Sequence, residues 1–245
     1  GALVLDPKGP ALMVAGANGA LATQTLRSAF GRAAGDASPS PAAGLAVRDL
    51  APLPPEDRGG ASAFFLVMAT LIAALLGGAV VALRGRGSVG ERTAGVAAMA
   101  LAVGATTTAV GTWIVGALPG APLALLAITA ALALAVGATV LGAVRLAGPA
   151  GMGLTALTVV ALGVAAAGGP FGSAFVPEPF ATLGEILPLG VAGEAVRGAV
   201  YFDGAGVEHA LAVLGVWTAV GFAAAAMPAL AGLAAPWRLR RRAAA

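Results

Sequence analysis

Five long segments without any charged residue constrain the fold of this chain more than any other feature. They cover residues 63–83, 94–118, 122–144, 151–167 and 210–235. A helix needs about 20 apolar residues to cross the roughly 30 Å of hydrocarbon in a bilayer, and the fourth segment alone is clearly shorter. Charged residues make up only 10% of the chain, against about 25% in a typical soluble domain. The sequence therefore predicts an all-α membrane bundle of five transmembrane helices, residues 62–245.

Residues 1–61 form the one region with the composition of a soluble segment. The apolar runs Ala2–Leu5 and Ala11–Ala15 flank Asp6-Pro7-Lys8-Gly9, a sequence typical of a turn, which predicts a β-hairpin. A helix capped by Asn18 and running to about residue 34, and a strand over residues 44–53, should follow. This is too little apolar material for a core of its own. We expect a small α/β extracytoplasmic segment.

The basic residues between the apolar segments predict how the helices are oriented. If the spans alternate, the connections after the first, third and fifth segments share one side of the membrane. They carry Arg84, Arg86, Arg92, Arg145, Arg238, Arg240, Arg241 and Arg242, with Glu91 as the only acid. Basic connections stay in the cytoplasm, so we expect a multi-pass protein of the inner (plasma) membrane with its C-terminus inside. The N-terminal segment then lies outside, which predicts a further transmembrane helix upstream of Gly1.

A polar island, residues 168–209, separates the last two spans. Proline and phenylalanine alternate here with small residues, which predicts short helices at the outer membrane interface. Arg197 is the island's only basic residue. Glu194 precedes it by three positions and would share its helix face, which favours an ion pair; alternatively, Arg197 binds a lipid phosphate or an anionic substrate. The neighbouring Glu208 and His209 are either a pH sensor or a solvated helix start.

Two patterns inside the spans predict packing rather than chemistry. Ala69, Ala73 and Gly77 repeat at every fourth position, a spacing that lets two helices approach closely. The consecutive threonines 106–108 could line a polar path, but threonine hydroxyls in helices also bond to their own backbone. No span contains Asp, Glu, Lys, Arg or His, which argues against a proton-coupled carrier.

The order of motifs around the island resembles a known family. G-G-P-F at 168–171 is followed by P-E-P-F at 177–180, by A-V-R-G-A-V-Y-F at 195–202, and by a last apolar span that ends in arginines; D-L-A-P-L-P at 49–54 leads into the first span. This order is similar to that of permeases of the type-2 ABC exporter class, and more closely to their phage-infection-protein-like branch. The resemblance implies six transmembrane helices, the first of them absent from this sequence, with an outer domain after it.

The resemblance also implies a function and its partners. It predicts the membrane subunit of an exporter that moves amphiphilic or apolar molecules outward, as a homo- or heterodimer embedded in membrane lipids. The only lysine, Lys8, lies in the predicted turn and no Walker A motif is present, so ATP would be hydrolysed by a separate subunit. In the family such a subunit docks on the loop that here carries Arg84, Arg86 and Arg92, although these arginines could simply set the topology. The alternative is a non-transporting envelope receptor or scaffold.

Several other functions find no support in the residues. Cysteine is absent, which removes thiol nucleophiles and zinc–thiolate sites. Neither a Ser–His–Asp arrangement nor a pair of catalytic carboxylates is indicated, so the chain is not expected to be an enzyme or to hold a cofactor or metal. The excess of arginine is explained by topology, and a nucleic-acid partner is not expected.

Overall fold

Long apolar helices make up most of the structure. The computed structural model describes residues 2–6, 9–18, 23–26, 28–30, 46–84, 87–169 and 176–233. The helices are α1 Ser62–Leu83, α2 Val89–Ile114, α3 Pro122–Ala147, α4 Pro149–Ala167, α5 Phe180–Gly184, α6 Pro188–Tyr201 and α7 Val207–Leu233. Five of these, α1 to α4 and α7, are long and apolar enough to cross a membrane, and each overlaps one predicted span. Helices α2 and α4 contain π-helical stretches, at Val110–Ile114 and Leu157–Leu162.

Helix α2 begins in the charged sequence before its apolar segment. It begins at Val89, five residues before the predicted position, because Ser88 and Glu91 form a capping box. The Ser88 hydroxyl accepts a hydrogen bond from the Glu91 N–H at 3.2 Å, and the Glu91 carboxylate accepts one from the Ser88 N–H at 3.1 Å. These bonds satisfy N–H groups that a helix start leaves without partners.

Helix α3 lies at the centre of the bundle. Leu125, Ile128, Leu132 and Val136 along it are fully buried. It is the most buried of the five long helices: 56% of its most apolar 18-residue stretch lies inside the protein. It packs against α1, α2 and α7. Since lipid is as apolar as leucine, contacts of this kind depend on close packing rather than on the exclusion of water.

Glycines let the neighbouring helices reach the backbone of α3. A Cβ atom at Gly104 of α2 would lie 2.7 Å from the backbone nitrogen of Ala130. A Cβ atom at Gly78 of α1 would lie 3.0 Å from the Cα atom of Gly137. Thr70, Ala74 and Gly78 are buried on α1, one position from the row Ala69, Ala73 and Gly77 in which the sequence predicts close packing. Of that predicted row, Gly77 lies against α2, since a Cβ atom there would lie 2.8 Å from Cγ of Met99, whereas Ala69 is exposed.

A hydrogen bond between threonines joins α2 to α3 inside the bundle. The hydroxyl oxygens of Thr108 and Thr129 are 3.1 Å apart, and both residues are buried. The Thr129 hydroxyl also lies 2.8 Å from the carbonyl oxygen of Leu125, one turn earlier in its own helix. Both hydroxyls are thus satisfied within the protein.

The N-terminal segment contains the predicted hairpin. Strands β1 Ala2–Asp6 and β2 Gly9–Val14 pair antiparallel, and β3 Ala46–Asp49 pairs parallel to β2. The Asp49 carboxylate accepts hydrogen bonds from the N–H groups of Gly16 at 2.9 Å and Ala51 at 3.2 Å. Residues 23–26 and 28–30 are helical, within the predicted helix. Asn18 ends a 3-10 turn, Gly16–Asn18, and the residues after it that it would cap lie outside the described ranges.

The two ends of the bundle differ in charge. At one end, which we call the Arg end, Arg84 follows α1, Arg92 lies in the first turns of α2 and Arg145 in the last turn of α3. Ala82 and Val144 belong to one apolar cluster there. At the opposite end, which we call the α6 end, α6 packs against α1, α3 and α7. Arg86 and the arginines at 238–242 lie outside the described residues.

Candidate functional site

Helix α6 is inserted between longer helices. Leu189, Val191, Ala192, Ala195 and Val196 belong to the same buried core as residues of α1, α3 and α7. Short helices were predicted for the island, and α5 and α6 lie in its described part, but α6 is packed among the spans rather than along the outside of the bundle. A Cβ atom at Gly190 would collide with the Gly184 carbonyl and one at Gly198 with the Ala205 carbonyl, so these two glycines let α6 pack closely on α5 and on the turn before α7. Phe171 and Phe175 lie outside the described residues.

Arg197 and Glu194 form the ion pair that their spacing predicts. An Arg197 Nη2 atom lies 2.8 Å from Glu194 Oε1. The Arg197 side chain is 10% exposed, whereas that of Glu194 is 51% exposed. Arg197 lines a small cavity together with Phe64 and Val67 of α1. Since the arginine faces the inside of the bundle and the carboxylate faces out, this geometry favours a structural role for Arg197 over contact with an external phosphate.

Side chains of α7 hold the turn between α5 and α6. His209 Nε2 lies 3.3 Å from the carbonyl oxygen of Glu185, and Trp217 Nε1 donates to the carbonyl oxygen of Ile186 at 2.8 Å. A carbonyl oxygen only accepts, so Nε2 is the protonated nitrogen of His209 in this contact. His209 is thus a tether as well as part of a helix start, while Glu208 is exposed in the first turn of α7. No sequence signal indicates Trp217, because its partner is a backbone carbonyl distant in the chain.

A cavity of about 350 Å³ opens between α4, α5, α6 and α7. Its walls include Ala166, Ala181 and Val191, which are buried or half-buried. Glu185, Glu194 and His209 also line it and are exposed. The cavity therefore has an apolar interior and a polar, predominantly acidic mouth. We call it the α4–α7 cavity.

A second recess, of about 340 Å³, lies between α1 and α2. Phe65, Leu66 and Val110 line it together with Thr106 and Thr107. The two threonine hydroxyls donate to carbonyls of their own helix, to Ala102 at 2.8 Å and Val103 at 2.9 Å. Both hydroxyls therefore bond to the backbone of their own helix, which does not support the predicted polar path. We call this apolar recess the α1–α2 groove.

Asp57, just before α1, lies close enough to Tyr201 for its charge to act on the phenol. Asp57 is buried, and its carboxylate accepts hydrogen bonds from the N–H groups of Ala61 at 3.0 Å and Ser62 at 3.1 Å. It thereby satisfies donors that the start of α1 leaves free. The buried hydroxyl of Tyr201 has no hydrogen-bond partner within the described residues. The sequence signal for Asp57 is an acidic residue just before an apolar span.

The environment of Tyr201 predicts an unusual titration. Burial raises the pKa of Tyr201 to about 12, and the negative charge of Asp57 acts in the same direction. Tyr201 is the only tyrosine in the chain, so phenolate absorbance reports on it alone. We expect the folded protein to titrate at a pKa of about 12 and the denatured chain at about 10. Unfolding free energy should be insensitive to this group below about pH 10 and fall as the pH rises toward 12. A folded-state titration near the denatured value would contradict the burial.

The predicted docking loop at the Arg end contains two different kinds of arginine. Arg84 is exposed. Arg92 is half-buried, and its Nη1 atom donates to the carbonyl oxygen of Ala82 at 3.2 Å. This bond satisfies a carbonyl at the end of α1, so Arg92 connects α1 to α2. Among the predicted docking residues that the structure describes, Arg84 is therefore the one that is accessible to a partner.

No group of three or more His, Asp or Glu side chains in the described part of the chain could hold a metal ion. Glu185, Glu194 and His209 accordingly line the cavity without forming a metal site. Comparison of the chain with models of known protein families, with curated proteins and with solved structures finds no match.

Proposed function

We propose that this protein is the membrane subunit of an ABC-type exporter that moves amphiphilic or apolar molecules outward. The observation that carries the proposal is that both recesses open in the same half of the bundle. The α1–α2 groove is lined by the start of α1 and the end of α2, and the α4–α7 cavity by the end of α4 and the start of α7. Each is of a size that suits a small ligand, roughly 300 to 1,000 Å³.

The charge distribution supports an orientation for this exporter. Arg84, Arg92 and Arg145 lie at the Arg end, which the positive-inside rule assigns to the cytoplasm. The α6 end and its two recesses then face the outer half of an inner (plasma) membrane, where an exported amphiphile leaves. In intact cells, a cysteine at Ala205 should react with a membrane-impermeant thiol reagent, whereas one at Ser88 should not. Equal labelling would reject the orientation.

Energy for export is proposed to come from a separate ATPase bound at the Arg end, with the permease acting as a homo- or heterodimer. To test this, the full-length protein is purified from its native membranes, and co-purifying polypeptides are identified by mass spectrometry and assayed for ATP hydrolysis. We expect Arg84→Glu to reduce the bound ATPase about tenfold, because a reversed charge opposes a complementary partner surface. Arg58→Glu is the matched control, since Arg58 is also exposed but precedes α1, at the other end of the bundle.

The exporter proposal and the envelope receptor or scaffold give different results in this experiment. A receptor or scaffold would reach the membrane without any ATPase, and Arg84→Glu would behave like Arg58→Glu. Loss of the ATPase in both variants would show that charge in general, rather than the Arg end, determines the association.

A further inference from the structure

We propose that the α4–α7 cavity binds an organic cation with an apolar tail, such as an alkylammonium. The proposal names a substrate class for the exporter and in that respect rests on the proposed function. Binding itself does not require transport, so the two are tested separately.

The shape and lining of the cavity separate an apolar part from a charged part. Its volume of about 350 Å³ is within the range of pockets that hold small molecules, about 300 to 1,000 Å³. Ala166 and Val191 are buried and Ala181 is half-buried. An alkyl chain that packs against them is transferred from water to an apolar surface, which is favourable. Glu185 and Glu194 are exposed along the same lining, where a charged head group remains partly hydrated.

The charges around the mouth favour a cation over an anion. Arg197 is the only arginine or lysine in the described part of the island, and it is buried and paired with Glu194. Its charge offsets that of Glu194, while Glu185 adds a negative charge that this pair does not offset. An anionic head group would therefore meet repulsion from Glu185 at the mouth of the cavity.

The contacts that form the cavity are independent of the Glu185 carboxylate. His209 bonds to the backbone carbonyl of Glu185, not to its side chain, and Trp217 bonds to the carbonyl of Ile186. Replacing Glu185 by glutamine therefore removes the negative charge while both tethers remain. This separates the effect of charge from the effect of cavity shape.

The test measures binding of hexyltrimethylammonium to the purified full-length protein in lipid nanodiscs by isothermal titration calorimetry, with heats from empty nanodiscs subtracted. Sodium hexanesulfonate is the anionic probe with the same tail. We expect the ammonium to bind and the sulfonate not to bind. Glu185→Gln should weaken ammonium binding about fivefold, as expected for loss of one partly hydrated ion pair. Ala181→Leu, which fills the cavity, should abolish binding.

Glu208→Gln is the matched control, because Glu208 is an exposed carboxylate of the same end that does not line the cavity. It should leave the affinity unchanged. The thermal unfolding of each variant is measured in the same nanodiscs, so that lost binding is scored only for folded protein. The proposal is overturned if neither probe binds, if the sulfonate binds as well as the ammonium, or if Glu185→Gln and Glu208→Gln have equal effects. If the protein binds the cation but retains no ATPase, the exporter proposal is overturned, whereas the proposed cation site stands.

Discussion

Replacing Gly221 with leucine is expected to force α7 away from α3 and to destabilise the bundle by about 3 kcal/mol, the upper part of the range for overpacked cores. A Cβ atom at Gly221 would lie 2.5 Å from the carbonyl carbon of Ala138 and 2.6 Å from the nitrogen of Thr139. Both are backbone atoms of the central helix, and a backbone cannot move aside as a flexible side chain can. The reciprocal contact is equally tight, since a Cβ atom at Gly142 would lie 2.5 Å from the Gly221 carbonyl oxygen.

Gly215→Leu is the control for this experiment. Gly215 lies on the same helix, and a Cβ atom there would meet nothing within 4 Å. Both substitutions raise helix propensity by the same amount, so the difference between them isolates the contact with α3. The measurement is the yield of monodisperse protein in size-exclusion chromatography and its midpoint of thermal unfolding. Equal values for the two variants would show that α7 does not pack on α3 through Gly221.

Replacing Glu194 with alanine should destabilise the protein more than replacing Arg197 with methionine. Without Glu194, the guanidinium of Arg197 stays buried and loses its carboxylate, a change that costs roughly 3 kcal/mol in other proteins. Without Arg197, the carboxylate of Glu194 remains half-exposed and is hydrated, and methionine fills much of the buried volume. We expect Arg197→Met to cost less than about 1 kcal/mol, because apolar residues often replace buried ion pairs without loss.

The double variant decides between the two roles of Arg197. If the pair is structural, Glu194→Ala combined with Arg197→Met should unfold at nearly the same temperature as Arg197→Met alone, since no buried charge is left. Export and cation binding are measured on the same preparations. A different result, in which Arg197→Met unfolds normally but abolishes export while Glu194→Ala does nothing, would reject the structural role and support contact with a substrate.

The long helices could be predicted from the sequence because the feature that specifies them is local. A run of uncharged apolar residues as long as a bilayer is thick has few other ways to fold. The start of α2 could also have been found, since Ser88 and Glu91 have the spacing of a capping box. The sequence did not show which small residues of α1 face the central helix. The predicted row was Ala69, Ala73 and Gly77, one position from the buried row. Small residues occupy both rows, and periodicity alone does not distinguish them.

The candidate site was predictable only in part. The pairing of Glu194 with Arg197 follows from helix spacing, and it is present. The burial of α6 does not follow from its own sequence, because a moderately apolar helix can lie on a surface or between other helices. Much of the lining of the α4–α7 cavity is alanine and glycine from α4, α5 and α6. Such residues carry no functional signal until the fold brings them together, and the same holds for the carbonyls that His209 and Trp217 bind.

The unequal charge of the two ends gives this protein an electrical axis. Arg84, Arg92 and Arg145 outnumber Glu91 at the Arg end, whereas Glu185, Glu194, Asp203 and Glu208 outnumber Arg58 and Arg197 near the other end. A cell membrane that is negative inside does work of about 2.3 kcal/mol on each elementary charge moved across 100 mV. Inverting the bundle from its proposed orientation would carry arginines outward and carboxylates inward, and both movements run against the field. The membrane potential therefore acts on the assembled protein in the same direction as the rule that orients its helices during insertion.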